Sequence, residues 1–188
     1  AMNRDMKMAV SVQESFLPLR PPAYRDWDIA LYFKPMSGVS GDFFDFYERD
    51  GNLVGISVFD VSGNGVASGL LTMVAKSILH KNFHANFELR LGTIIEKAND
   101  DLIAEFGDLG YYISGVMLRF QGNDAEYVNA AHNDLLLRRS SGEVKAVATA
   151  QKAFRGNFLG LEAMKDRFNT VKFRIEKGDA LLLCTDGI

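Results

Sequence analysis

Two apolar runs that each stop at an aspartate beside glycine constrain this chain more than any other feature. Leu53-Val54-Gly55-Ile56-Ser57-Val58-Phe59 leads into Asp60-Val61-Ser62-Gly63. Ala180-Leu181-Leu182-Leu183-Cys184-Thr185 leads into Asp186-Gly187. Both runs have the length and apolar character of buried strands. A third aspartate, Asp42, follows Ser40-Gly41 and opens an aromatic strand-like run. Taken singly, Asp-Gly is turn chemistry. Taken together, three carboxylates at strand ends read as acidic groups gathered at one edge of a sheet. Crowded carboxylates repel one another unless a hard cation neutralises them. The pattern therefore reads first as a site for Mg²⁺ or Mn²⁺.

The bulk properties leave room for such a site and exclude others. A chain of 188 residues has one domain as its natural size, and 14 Phe in a sequence 47% apolar supply ample core. The net charge of −3 excludes a broad basic face for nucleic acid. No run of apolar residues is long enough to cross a membrane. The N-terminal apolar positions are interrupted by Arg4, Asp5 and Lys7, unlike a secretory leader. The single cysteine, Cys184, cannot form an internal disulfide, which fits a reducing cytoplasm. Its apolar flank predicts a buried, inert thiol.

Periodicity predicts an order of strands, then two helices, then strands. Met2, Met6, Ala9, Val10, Gln13, Phe16 and Leu17 lie on one helical face, stopped by Pro18. This helix reads equally as one that packs on its own domain and as the end of a linker from an upstream module, forming a dimer seam. Residues 27–34 alternate Trp27, Ile29, Leu31 and Phe33, a strand pattern. Residues 43–49 and 53–59 flank Asp50-Gly51-Asn52 and predict a hairpin. Helices are expected over 66–83 and 88–105. A meander over 111–120, 125–131 and 135–139 and a short strand near Val144 are expected next, then a long loop over 149–166. The last element is a hairpin of 170–175 and 180–185 around Lys177-Gly178-Asp179. This is α+β with largely antiparallel sheets, not alternating β-α-β. The sequence stops directly after Asp186-Gly187, so the domain is expected to be incomplete at its C-terminus.

The candidate ligands are all oxygen donors, as hard cations prefer. Asp60 is the strongest, because it follows an apolar strand and precedes a glycine loop where backbone can approach closely. Two cations a few ångströms apart can activate a shared water and offset phosphoryl charge. His80 and His84 stand four apart on the first long helix but lack the ligand pattern of a zinc site, and read as helix-surface residues. Gly63-Asn64-Gly65-Val66-Ala67-Ser68-Gly69 is similar to a dinucleotide loop. It lacks the parallel strand with an acidic end that the fingerprint requires.

Several ordered motifs then carry a resemblance. They are Val39-Ser40-Gly41-Asp42-Phe43-Phe44-Asp45, Phe59-Asp60-Val61-Ser62-Gly63-Asn64-Gly65, Asn129-Ala130-Ala131-His132, Lys177-Gly178-Asp179 and Thr185-Asp186-Gly187. Together they resemble the bacterial sporulation-protein-E/sigma-regulator (SpoIIE/RsbU-like) branch of the metal-dependent PPM, or type 2C, serine/threonine phosphatases. Gln13-Glu14-Ser15-Phe16-Leu17-Pro18 is similar to that branch's N-terminal linker helix, which sets residues 1–20 as linker and 21–188 as an incomplete phosphatase domain. The resemblance implies a sandwich of two antiparallel sheets flanked by helices, with a two-metal site for Mn²⁺ or Mg²⁺. It implies Asp42 on one metal, Asp60 as the bridge with the Val61 carbonyl beside it, and Asp186 on the other metal. It implies a further acidic ligand after Ile188. Ser40, Asn64 and Ala131 depart from the branch's pattern, and none removes a carboxylate. His132 sits in a family motif without an assigned role.

The activity so implied is hydrolysis of a phosphoserine or phosphothreonine on an anti-sigma-factor antagonist by a metal-activated water. Asp42, Asp60 and Asp186 would be the catalytic set, in a cytoplasmic protein with an upstream sensor domain and a homodimer through the N-terminal helix. The competing readings are a non-catalytic pseudophosphatase that binds partners and the dinucleotide-binding domain.

Overall fold

The Asp50-Gly51 turn adopts left-handed backbone at both positions, φ 51° and 75°, as a two-residue hairpin twisted to match its strands requires. It joins β1 (Asp42–Arg49) to β2 (Asn52–Val61) in a computed structural model that describes residues 4–35, 38–147 and 155–186. The ladder starts Arg49↔Asn52 and Glu48↔Leu53, then shifts by one residue to Tyr47↔Gly55. This bulge decides which side chains share a face, since a one-residue slip sends a strand's side chains to the opposite side. Its consequence is that Asp42 pairs with Asp60.

β2 pairs antiparallel with β3 (Ile113–Gln121), and β3 with β4 (Asp124–Ala130). β4 is extended by β7 (Arg155–Gly156) and by β8 (Val171–Arg174), which pair with different stretches of it. The β4–β7 pair is parallel, a two-residue exception in an otherwise antiparallel sheet. A second sheet orders β6 (Val144–Ala146), β5 (Leu136–Arg138) and β9 (Ala180–Leu182).

Among the described residues three α-helices complete the α+β architecture: α1 (Arg4–Phe16), α2 (Val66–Ala85) and α3 (Leu91–Phe106). α2 lies on the face of the large sheet that carries Asp45, Tyr47 and Gly55. Phe83 stacks on Tyr47 with ring centroids 4.1 Å apart. A Cβ on Gly55 would stand 2.7 Å from the Phe83 ring, so the bare glycine makes the notch that receives it. Asp45 is buried and answers Lys76 Nζ at 3.1 Å and His80 Nδ1 at 2.7 Å, both from α2. The charge is thus compensated inside the layer, as a buried carboxylate requires. α3 begins at Leu91 rather than Glu88, because Arg90 is extended. Its first-turn Gly92 N–H finds Thr170 Oγ1 at 2.9 Å instead of a preceding side-chain cap.

α1 packs on its own domain. Met6, Ala9, Val10 and Gln13 face inward. Gln13 Nε2 donates to the Ser40 carbonyl (2.7 Å) and to Thr72 Oγ1 (2.9 Å), and its Oε1 accepts the Ser40 N–H (2.7 Å). Phe16, expected on the inner face, is instead exposed with Met8 and Val12.

Other expectations are corrected. Residues 27–34 keep their alternation, with Trp27, Ile29, Leu31 and Phe33 against the core, but form no ladder among the described residues beyond a Tyr24–Trp27 bridge. A period of two reports extended backbone with one covered face, and says nothing of a partner. The expected last hairpin is not one, since β8 joins the large sheet and β9 the small one. The third strand of the expected meander, β5, likewise leaves for the small sheet. His80 is not a bare surface residue, being bonded to Asp45, and its ring lies 4.6 Å from that of His84. Cys184 is half-buried rather than buried. Met2, Gly187, Ile188 and the first part of the 149–166 loop fall outside the described residues.

Candidate metal centre

Adjacent strands carry three polar side chains in one row. Asp42 on β1 is paired with Asp60 on β2, and Asp60 with Ser114 on β3. Cross-strand partners share a face. This row therefore lies opposite the α2 face, since Asp42 and Asp60 alternate with Phe43 and Phe59, whose rings stack 5.6 Å apart in the core.

The loops at this edge fit tightly. Ser40 Oγ accepts the Asp42 N–H at 3.0 Å, and the Gly41 carbonyl accepts the Val61 N–H at 2.9 Å. A Cβ on Gly41 would meet the Val61 carbonyl oxygen at 2.6 Å and Asp60 Oδ1 at 3.1 Å. The bare Gly41 therefore lets the fully buried Val61 carbonyl and the Asp60 carboxylate pack close against its backbone. Gly41→Ala should weaken Mn²⁺ binding by about 10- to 100-fold, the range for disturbing the support of a metal ligand. Calorimetric titration checks this, with an unchanged far-ultraviolet circular dichroism spectrum as the control for fold.

Asp186 approaches from the second sheet. Thr185 Oγ1 donates to Asp42 Oδ2 at 3.2 Å, and the Cys184 carbonyl lies 3.1 Å from His132 Nε2. The charges at this edge act on Asp60 and Asp42. Burial first, then the negative charges of Asp42 and Asp186, push the Asp60 carboxyl up to about 6. Burial and Asp186 also raise Asp42, against the opposing Thr185 hydrogen bond. Burial lowers His132 and favours its neutral form.

The candidate donors named from the sequence, Asp42, Asp60, Asp186 and the Val61 carbonyl, are all oxygen, the chemistry that Mg²⁺ and Mn²⁺ prefer. Among the described residues no three His, Cys, Asp or Glu side chains close into a cage around a single ion. Mg²⁺ commonly keeps several waters and takes only one or two carboxylates, so a spread acidic edge fits such ions better than a zinc cage. Two clefts of about 400 Å³ are lined by other residues, one by Glu96, Asp100 and Lys165 and one by Arg119, Glu126 and Arg174. Both are crossed by ion pairs, such as Lys165–Asp100 at 2.8 Å, and neither matches the chemistry at the acidic edge.

The sequence named Asp42, Asp60, Val61 and Asp186. It missed Ser114 and Thr185, and left His132 without a function. Thr185 carried a faint signal as a polar residue closing an apolar run, whereas Ser114 carried none. The Gly63–Gly69 loop does open α2, but β2 runs antiparallel to both of its neighbours. The parallel β-α-β context of a dinucleotide site is therefore absent from this loop.

Two sheets with helices over one of them are the fold of solved type 2C phosphatase domains. The chain superposes on the SiaA PP2C domain of Pseudomonas aeruginosa with a TM-score of 0.73, at 18% identity over 94% of this chain and 68% of that one. It superposes on the catalytic domain of the serine/threonine phosphatase PstP in complex with two manganese ions with a TM-score of 0.54, at 16% identity over 78% and 76% of the two chains. Residues 50–188 match the family of stage II sporulation protein E (SpoIIE), and the chain belongs to that family. It is 26% identical over 192 residues to the phosphoserine phosphatase RsbP of Bacillus subtilis, and 22% identical over 214 residues to the protein IcfG of Synechocystis. Each alignment takes in 98% of this chain, but only 45% of RsbP and 32% of IcfG, so the chain spans less than half the length of these relatives.

Proposed function

We propose that this chain is a metal-dependent protein serine/threonine phosphatase domain acting on a phosphoserine or phosphothreonine of a bacterial regulatory protein, of the anti-sigma-factor antagonist type. The observation that carries this reading is the meeting of acidic positions at one edge of a SpoIIE-family fold: Asp42 is the register partner of Asp60, and Thr185, next to Asp186, donates to Asp42 Oδ2. Carboxylates gathered in this way are costly unless cations offset them. Membership of the family and the likeness to RsbP support the reaction class.

Asp42 would hold one cation, Asp60 with the Val61 carbonyl would stand between two, and Asp186 would hold the second. The chemistry that bound Mn²⁺ or Mg²⁺ supplies there is activation of water and neutralisation of phosphoryl charge. The Ser40 and Gly41 hydrogen bonds fix the β1 end of the site, and Thr185 ties the Asp186 segment to Asp42. The exposed row of Met8, Val12 and Phe16 on α1 supports self-association through that helix, and the greater length of the relatives supports further domains in the parent protein.

The test is release of phosphate from a phosphorylated antagonist protein. Turnover should require Mn²⁺ or Mg²⁺ and disappear in excess chelator. A protein that binds the antagonist equally well in chelator and never releases phosphate would instead be the non-catalytic partner-binding module.

A further inference from the structure

The described segment that carries Asp186 is held by side chains rather than by a sheet. β9 stops at Leu182, and residues 183–186 lie outside any strand among the described residues. Among the described residues this segment is reached by a hydrogen bond from Thr185 to Asp42 and one between the His132 ring and the Cys184 carbonyl.

The surroundings of His132 fix its ring from several sides. The side-chain amide of Asn129 grips its main chain, accepting the His132 N–H at 2.8 Å and donating to its carbonyl at 3.0 Å. The residue before it, Ala131, adopts left-handed backbone at φ 52° and donates its N–H to the Gly156 carbonyl at 3.0 Å. A non-glycine residue keeps such a conformation only where its surroundings hold it there. The His132 side chain is buried, with Nε2 3.1 Å from the Cys184 carbonyl and Nδ1 2.9 Å from Ser114 Oγ. A carbonyl oxygen only accepts, so Nε2 carries the hydrogen, and Nδ1 of the neutral ring accepts the Ser114 hydroxyl. Ser114 in turn is the register partner of Asp60.

The imidazole therefore spans from the neighbour of Asp60 to the residue two before Asp186. We propose that His132 is a positioning residue for the acidic edge, its Nε2–H holding the Cys184 carbonyl so that Asp186 stands where it can share cations with Asp60 and Asp42. This rests on the metal-site reading above. It gives His132 no contact with substrate.

The experiment is calorimetric titration of this chain with Mn²⁺ in His132→Gln, His132→Asn and His132→Ala. A glutamine amide reaches the place of Nε2 with an N–H donor. Asparagine, one methylene shorter, reaches only the place of Nδ1. The Kd for Mn²⁺ should rise about tenfold or more in the Asn and Ala variants and stay within about threefold of wild type in Gln, the scale on which losing a ligand's outer support acts. A Gln variant as weak as Ala overturns the Nε2 tether, and equal affinity in Ala and wild type overturns any positioning role. Wild type that binds no Mn²⁺ overturns the metal reading itself, and this inference with it. If the Ala variant fails to fold, the ¹⁵N spectrum of the wild-type imidazole decides. The Nε2–H tautomer is expected, and the Nδ1–H tautomer sinks the proposal.

Discussion

Asp60→Asn should lower phosphatase turnover by at least about a thousandfold if, as proposed, this carboxylate serves two cations, because its removal then forfeits several kcal/mol of transition-state stabilisation, near 4 kcal/mol for that factor. Unchanged turnover would remove the basis for the assignment. A second signature separates this outcome from simple unfolding. The folded-state pKa of Asp60 is about 6, above its ordinary 3.8. The folded protein therefore binds this proton more tightly than the unfolded chain does. The stability it lends is complete below pH 3.8 and lost as pH rises through about 6. At pH 7.5 and without cations, ionised Asp60 is a liability, and the asparagine variant should melt at a higher temperature than wild type. The two melting curves should converge toward pH 4, and Mn²⁺ should raise the melting temperature of wild type at pH 7.5 far more than that of the variant. Gains in metal-free stability coupled to loss of function are what a site built from mutually repelling groups should show.

The second large effect lies in the core. Phe83→Ala should cost about 3–5 kcal/mol, the range for emptying a buried aromatic position. Phe83 is fully buried, stacks on Tyr47 and fills the notch above Gly55, so few neighbours can relax into the space. A loss of that size is a large part of the 5–15 kcal/mol that holds an ordinary domain together. Denaturant unfolding monitored by circular dichroism measures it. A cost below about 1 kcal/mol would mean that α2 is not anchored to the sheet through this ring. Phe83→Leu, which keeps most of the volume, should cost about 1.5 kcal/mol or less.

Much of the first sheet was legible because two independent signals agreed. The Asp50-Gly51 turn and the apolar runs on either side specify one hairpin. The row of carboxylates was legible only in part. Turn position alone would pair Asp42 with Phe59 and leave Asp60 on the opposite face. The bulge after Tyr47 moves Asp60 into register, and no residue type announced it.

Residues 27–34 and the last two strands failed for a related reason. Alternation and turn residues are local, whereas the choice of a pairing partner is decided by the whole fold. Lys177-Gly178-Asp179 does mark a turn, closed by Asp179 onto Glu176 and Arg139, yet it joins two sheets rather than two neighbours. Asp45 with Lys76 and His80 was invisible for the same reason, because partners more than thirty positions apart leave no periodic trace. Asn129, His132 and Ser114 form a polar group whose geometry exists only after β3, β4 and the segment beyond β9 have met.

The chain passes from the larger sheet to the smaller after β4, returns before β7 and leaves again after β8. With the two layers stitched in this way, neither can be peeled off while the other survives. Residues 42 and 60 meet across a single hairpin, whereas the segment of residue 186 joins them only once the second layer has closed on the first. Any chemistry performed at that edge would therefore also certify that the two layers had assembled, and a domain with only one of them formed would be silent rather than promiscuous.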